Sequence, residues 1–85
     1  MDKKEIEKKV KEILANQLNI DIQKIKKDSH LVDDLGIDSF AMIEVVFAFE
    51  EAFVIQMSEE SLKDIATVND ILTYIESHET KPRSN

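Results

Sequence analysis

The sequence predicts an all-α protein: a small bundle of three longer helices plus one short helix, with a long first loop. Three observations support this. Apolar residues recur at helical spacing in three stretches, a single Gly and a single Pro leave few breakers in 85 residues, and no apolar–polar alternation is long enough to build a sheet. At this length, with 42% apolar residues, one compact core is expected and a second is not. The expected domain covers residues 1–78, with 79–85 as a frayed tail.

From about Lys3 to Leu18, the residues Ile6, Val10, Ile13, Leu14 and Leu18 form one stripe separated by Lys and Glu, the pattern of an amphipathic helix. From Asn19 to Asp38 no helical period survives. A connection this long is unusual in so small a domain. The recurring Ile20, Ile22, Ile25, Leu31, Leu35 and Ile37 predict that it is pinned across the core, with a short turn inside it. A second helix is expected from Ser39 to Ala52 or Phe53. Its interior stripe is Met42, Val45, Val46, Phe49 and Phe53, while Phe40, Ile43 and Phe47 lie off that stripe among Glu44, Glu50 and Glu51. Burying such a helix on every side is hard in a small domain, so a partly exposed apolar edge rimmed by carboxylates is expected. Ser58 is placed to cap a short helix over 59–65, with Leu62 and Ile65 as its apolar contacts. Thr67 and Asp70 have capping-box spacing, with Asp in place of the usual Glu. They open a last helix that buries Val68, Ile71, Leu72 and Ile75.

Composition narrows the function. There is no cysteine, which excludes a disulfide framework and a thiolate zinc site. The charged start lacks the apolar core of a signal peptide, and no apolar run approaches the roughly 18 residues of a membrane span. A cytoplasmic protein without membrane insertion is expected. Net charge is −7, unevenly spread. Residues 1–27 hold eight Lys against five acids, whereas residues 28–79 hold thirteen acids against Lys63 alone. Phosphate backbones would be repelled by that acidic portion, so nucleic acid is not an expected partner. Basic protein patches are, and steering would speed their encounter. Asp33, Asp34, Asp38 and Glu44 do not follow the calcium-loop pattern, and no metal site is expected.

The chemistry centres on Asp34-Leu35-Gly36-Ile37-Asp38-Ser39-Phe40. Gly36 supplies freedom to turn, and Asp38 can accept from amides that a helix start leaves unpaired. Ser39 then falls in the first turn, side chain outward. A phosphate joined to it would sit favourably against the helix start, by roughly 0.3–1 kcal/mol at an exposed site. That term biases the site without selecting it. The only histidines, His30 and His78, have no motif linking them to Ser39. With no base to activate the hydroxyl, Ser39 is a substrate and no residue of this chain is catalytic.

This heptapeptide, with Ile43-Glu44-Val45-Val46 and Glu50-Glu51-Ala52-Phe53 after it, resembles the acyl carrier proteins, and the resemblance runs from about Ile6 to about Ile75. It implies the helical bundle with a long first loop. It also implies phosphopantetheine on Ser39, donated by coenzyme A through a phosphopantetheinyl transferase, with a terminal thiol that holds acyl groups as thioesters. A chain without cysteine needs that borrowed sulfur. The implied clients are acyl-transferring and acyl-processing enzymes with basic docking patches, in fatty-acid or related lipid and polyketide routes. The docking role falls to Glu44, Glu50 and Glu51, with Phe40, Ile43 and Phe47 as its apolar part and Asp38 as motif and helix start. The carrier is expected to be a monomer.

Three positions depart from the family pattern. Phe40 replaces the usual Leu, Ala41 stands where fatty-acid carriers commonly have Asp, and Met57-Ser58 stands where Ile-Pro is frequent. Asp-Ser-Phe also occurs in D-alanyl carriers, although the Asp-Leu-Gly-Ile-Asp lead-in favours the acyl type. An unmodified acidic interaction module is the rival from another class, and it predicts that Ser39→Ala is silent.

Overall fold

The computed structural model describes residues 2–79; residues 80–85 of the expected tail lie outside the described residues, and Glu79, expected to begin that tail, instead ends the last helix. Four α-helices follow one another: α1 (Lys3–Leu18), α2 (Ser39–Phe53), α3 (Glu59–Lys63) and α4 (Val68–Glu79), with a 3₁₀ turn at Ile22–Lys24 inside the first loop. No strand occurs among the described residues beyond an isolated bridge between His30 and Thr67. No helix among them is long and apolar enough to cross a membrane.

The start of α1 is fixed by a reciprocal cap. Asp2 Oδ1 accepts from the Glu5 N–H at 2.9 Å, and Glu5 Oε1 accepts from the Asp2 N–H at 3.4 Å, satisfying two donors that a helix start exposes. Asn19, left-handed at φ 57°, ends it. The predicted stripe is inward: Ile6, Val10 and Leu14 are buried, with Ile13 and Leu18 packed at its edge. They meet Val45, Val46, Phe49 and Phe53 of α2, and Val68, Ile71, Leu72 and Ile75 of α4, in one apolar cluster.

The long first loop is pinned, as its apolar residues imply. Ile25, Leu31 and Ile37 are buried and Ile20 and Leu35 pack against the cluster. Ile22 does not follow, because the 3₁₀ turn carries it to the surface. Backbone bonds then stitch the loop to the connection before α4. The Leu31 N–H donates to Ala66 O at 2.9 Å, the Val68 N–H to Ser29 O at 3.1 Å, and the Asn69 N–H to Lys27 O at 2.8 Å. The buried Ser29 hydroxyl oxygen accepts from the Lys26 N–H at 3.0 Å. The three backbone bonds join segments far apart in the chain and tie the loop to the start of α4.

Ser58 caps α3 as expected, accepting from the Ser61 N–H at 3.2 Å. The helix ends at Lys63 rather than Ile65, because the chain must turn to bring Ala66 against the first loop. At α4 the expected box is present. Asp70 Oδ2 accepts from the Ala66 and Thr67 N–H groups at 2.9 and 3.0 Å, and Thr67 Oγ1 accepts from the Asp70 N–H at 3.2 Å. The Ala66 donor chiefly holds the Asp70 carboxyl below its ordinary range, with the Thr67 donors and the His30 charge adding to it against a partial desolvation.

Candidate functional site

The residues before Ser39 make a knot of short-range bonds. Asp34 Oδ2 accepts from the His30 N–H at 2.7 Å. The Asp34 and Leu35 N–H groups both return to His30 O, and the Gly36 N–H reaches Val32 O at 3.1 Å. Gly36 has φ 73°, the left-handed region that glycine enters without strain. From there Ile37 drops into the core, and its N–H donates to Leu31 O at 2.9 Å. One residue later Asp38, in extended conformation, caps α2 by accepting from the Ala41 N–H at 2.8 Å. The buried Ile37 below and the Asp38 cap above leave Ser39 at the first position of α2 with its side chain exposed.

This geometry suits a phosphate ester. The Ala41 N–H is used by Asp38 and the Met42 N–H by Asp38 O, so the Ser39 and Phe40 amides are the first-turn donors left without an acceptor inside the helix. An ester oxygen on Ser39 would meet them at the positive end of the helix dipole. Neither histidine bears on the serine: both are exposed, and His78 stacks on Tyr74 at 4.0 Å between ring centroids. Among the described residues no His, Cys, Asp and Glu cluster could hold a metal ion.

The rest of α2 divides by face. Val45, Val46, Phe49 and Phe53 point inward, whereas Phe40, Ile43 and Phe47 are 72%, 54% and 63% exposed. Glu44 and Glu51 are exposed beside them. Glu50 lies on the same face but is only partly exposed, because its Oε2 accepts from the Met57 N–H at 2.9 Å. Its carboxylate therefore has a structural duty in the α2–α3 turn that the sequence did not reveal. Sequence reasoning also missed Val54, a β-branched residue in the left-handed region at φ 54° and 88% exposed. The one available signal was an exposed valine where a helix stop favours Gly or Asn.

The family model for the phosphopantetheine attachment site matches residues 8–75. The chain is 44% identical over 70 residues to an acyl carrier protein of Clostridium acetobutylicum, covering 82% of this chain and 91% of the relative. It is 42% identical over 69 residues to one from Wolinella succinogenes, covering 81% and 91%. A solved Mycobacterium tuberculosis structure, provisionally described as an acyl carrier protein, superposes with a TM-score of 0.80 at 29% identity, covering 85% of this chain and 96% of that one. None of these favours the D-alanyl carrier or the unmodified module. They agree on a phosphopantetheine-bearing carrier that a transferase loads and acyl-processing enzymes use, and on that footing this chain belongs to the acyl carrier protein family.

Proposed function

We propose that Ser39 is the attachment point for phosphopantetheine and that the exposed face of α2 docks the enzymes that load and use it. The observation that carries this reading is the solvent-facing Ser39 hydroxyl at the first position of α2, behind the Asp38 cap. In the transferase the Ser39 oxygen bonds to the phosphorus of the coenzyme A diphosphate nearer the pantetheine, its proton passes to a base of that enzyme, and the adenosine bisphosphate leaves. The attached group supplies the thiol that holds an acyl chain as a thioester.

Phe40, Ile43, Glu44, Phe47, Glu50 and Glu51 form the partner face in this reading, with Asp38 setting the helix start. With no Lys or Arg between residues 28 and 62, the face suits basic patches and repels nucleic acid. The carrier works as a cytoplasmic monomer without membrane insertion, and its clients belong to fatty-acid biosynthesis or a related lipid or polyketide route. An apolar acyl chain has reason to leave water against the bundle, at about 0.8 kcal/mol per buried CH2.

Intact-mass measurement after incubation with coenzyme A and a phosphopantetheinyl transferase tests the assignment. The wild type is expected to gain one phosphopantetheine and Ser39→Ala none. A gain on Ser39→Ala, or no gain on the wild type with several competent transferases, overturns it.

A further inference from the structure

We propose that the basic face of α1, with the adjoining 3₁₀ turn, adsorbs this protein to an anionic lipid surface by charge and without insertion. The proposal uses no part of the α2 face and does not depend on the Ser39 assignment. Lys4, Lys8 and Lys11 recur at intervals of four and three residues, which sets them on one side of α1. The 3₁₀ turn lies beside them: Lys4, Glu7, Lys8, Lys11 and Ile22 line one groove of about 290 Å³, open to solvent. Ile22 is 38% exposed there, and Lys24 of the same turn is exposed as well. Glu7 is the one acid lining the groove, and two lysines already answer it, Lys11 Nζ at 2.8 Å and Lys27 Nζ at 3.8 Å. Lys4 and Lys8 have no ion-pair partner among the described residues. The patch therefore keeps a local excess of positive charge on a chain whose net charge is −7.

The same features select the occupant. The groove is open rather than enclosed, and Lys4 and Lys8 stand in solvent, so it is not shaped to enclose a small anion. Flexible lysines around an exposed isoleucine suit a headgroup layer, where charge needs no fixed geometry and a short apolar side chain gains burial. An acidic protein surface would answer the charge, but it also needs shape complementarity, and of these lysines only Lys11 and Lys27 have held ammonium groups. Duplex phosphates would answer the charge and leave Ile22 without a contact. Insertion does not follow, because Ile6, Val10 and Leu14 of α1 are buried in the bundle and Ile22 alone remains to enter the lipid. Net charge does not forbid adsorption either. The Debye length is about 8 Å at physiological salt, and the molecule measures 39 × 26 × 19 Å, so acids on its far side are largely screened from the membrane.

Co-sedimentation of the full chain with phosphatidylcholine vesicles, with and without an equal share of phosphatidylglycerol, tests the proposal. At about 0.15 M salt the wild type is expected to partition to the anionic vesicles and not to the neutral ones. At about 1 M, where the Debye length falls to about 3 Å, that partitioning is lost. The triple variant Lys4→Gln, Lys8→Gln, Lys11→Gln is expected to partition about tenfold less or weaker still, and Ile22→Ala about threefold less, both with unchanged helical circular dichroism. Lys63→Gln removes the one lysine of residues 28–79 and leaves partitioning within about twofold. Equal partitioning to both vesicle types, none to either, or a triple variant that behaves like the wild type overturns the proposal. Binding to a polyglutamate peptide or to duplex DNA, with none to the vesicles, overturns it in favour of that polyanion. Loading of Ser39 is read separately by intact mass, so its failure and the failure of adsorption are distinguishable.

Discussion

Val54 is the residue whose replacement is most informative about how α2 ends. It is a valine held at φ 54° and ψ 53°, with its N–H donating to Glu50 O. The left-handed region costs an L-residue roughly 1–2 kcal/mol, and β-branching places valine at the unfavourable end. At 88% exposure its side chain returns little burial. Val54→Gly removes the strain but adds unfolded-state freedom worth roughly 0.5–1 kcal/mol. The strain exceeds that opposing term, leaving a net stabilisation of about 0.5–1 kcal/mol. In a domain of this size that raises the thermal midpoint by about 3–6 °C. Val54→Asn tests the same account separately, since Asn19 already ends α1 at φ 57° and asparagine adds no glycine-like freedom. Thermal and urea unfolding followed by circular dichroism read both variants. A lower midpoint for Val54→Gly refutes the strain argument. Loading efficiency is expected to move the other way, because the variant deletes an exposed apolar side chain at the end of α2, a trade between stability and activity.

Two further outcomes follow from the core and from the α4 cap. Phe49 is buried in the C-terminal half of α2 and lies 6.5 Å from Phe53, centroid to centroid; Phe49→Ala is expected to destabilise by about 3–5 kcal/mol, read as a shift in urea midpoint with an unchanged slope. Asp70 has a lowered carboxyl pKa in the folded state, so its stabilisation is full above the unfolded value near 3.8 and is lost as pH falls through the folded one. The wild type should therefore lose more stability than Asp70→Ala as pH falls below about 4, and parallel acid curves for the two would refute that role.

Local chemistry was readable in the sequence. The spacing of Ile6, Val10 and Leu14 gave α1, Thr67 with Asp70 gave the start of α4, and Phe40, Ile43 and Phe47 stood out as residues the core could not absorb. What escaped was non-local. Nothing near Glu50 in sequence indicates that its carboxylate answers the Met57 amide, and nothing near Asp34 distinguishes a turn-forming acid from a docking one. Ile22 reads like its apolar neighbours, yet the 3₁₀ turn brings it outward. The left-handed Val54 contradicts local preference, which is why pattern alone passes over it.

The bonds from Lys27, Ser29 and Leu31 to Ala66, Val68 and Asn69 reach beyond the loop they fasten. Ser39, the proposed attachment point, follows a loop fastened to backbone groups some thirty positions downstream. A synthetic fragment reproducing only residues 33–45 would keep every letter of the attachment motif and lose the scaffold that presents it. Shortened tags built on this protein would have to retain α4 to remain faithful substrates.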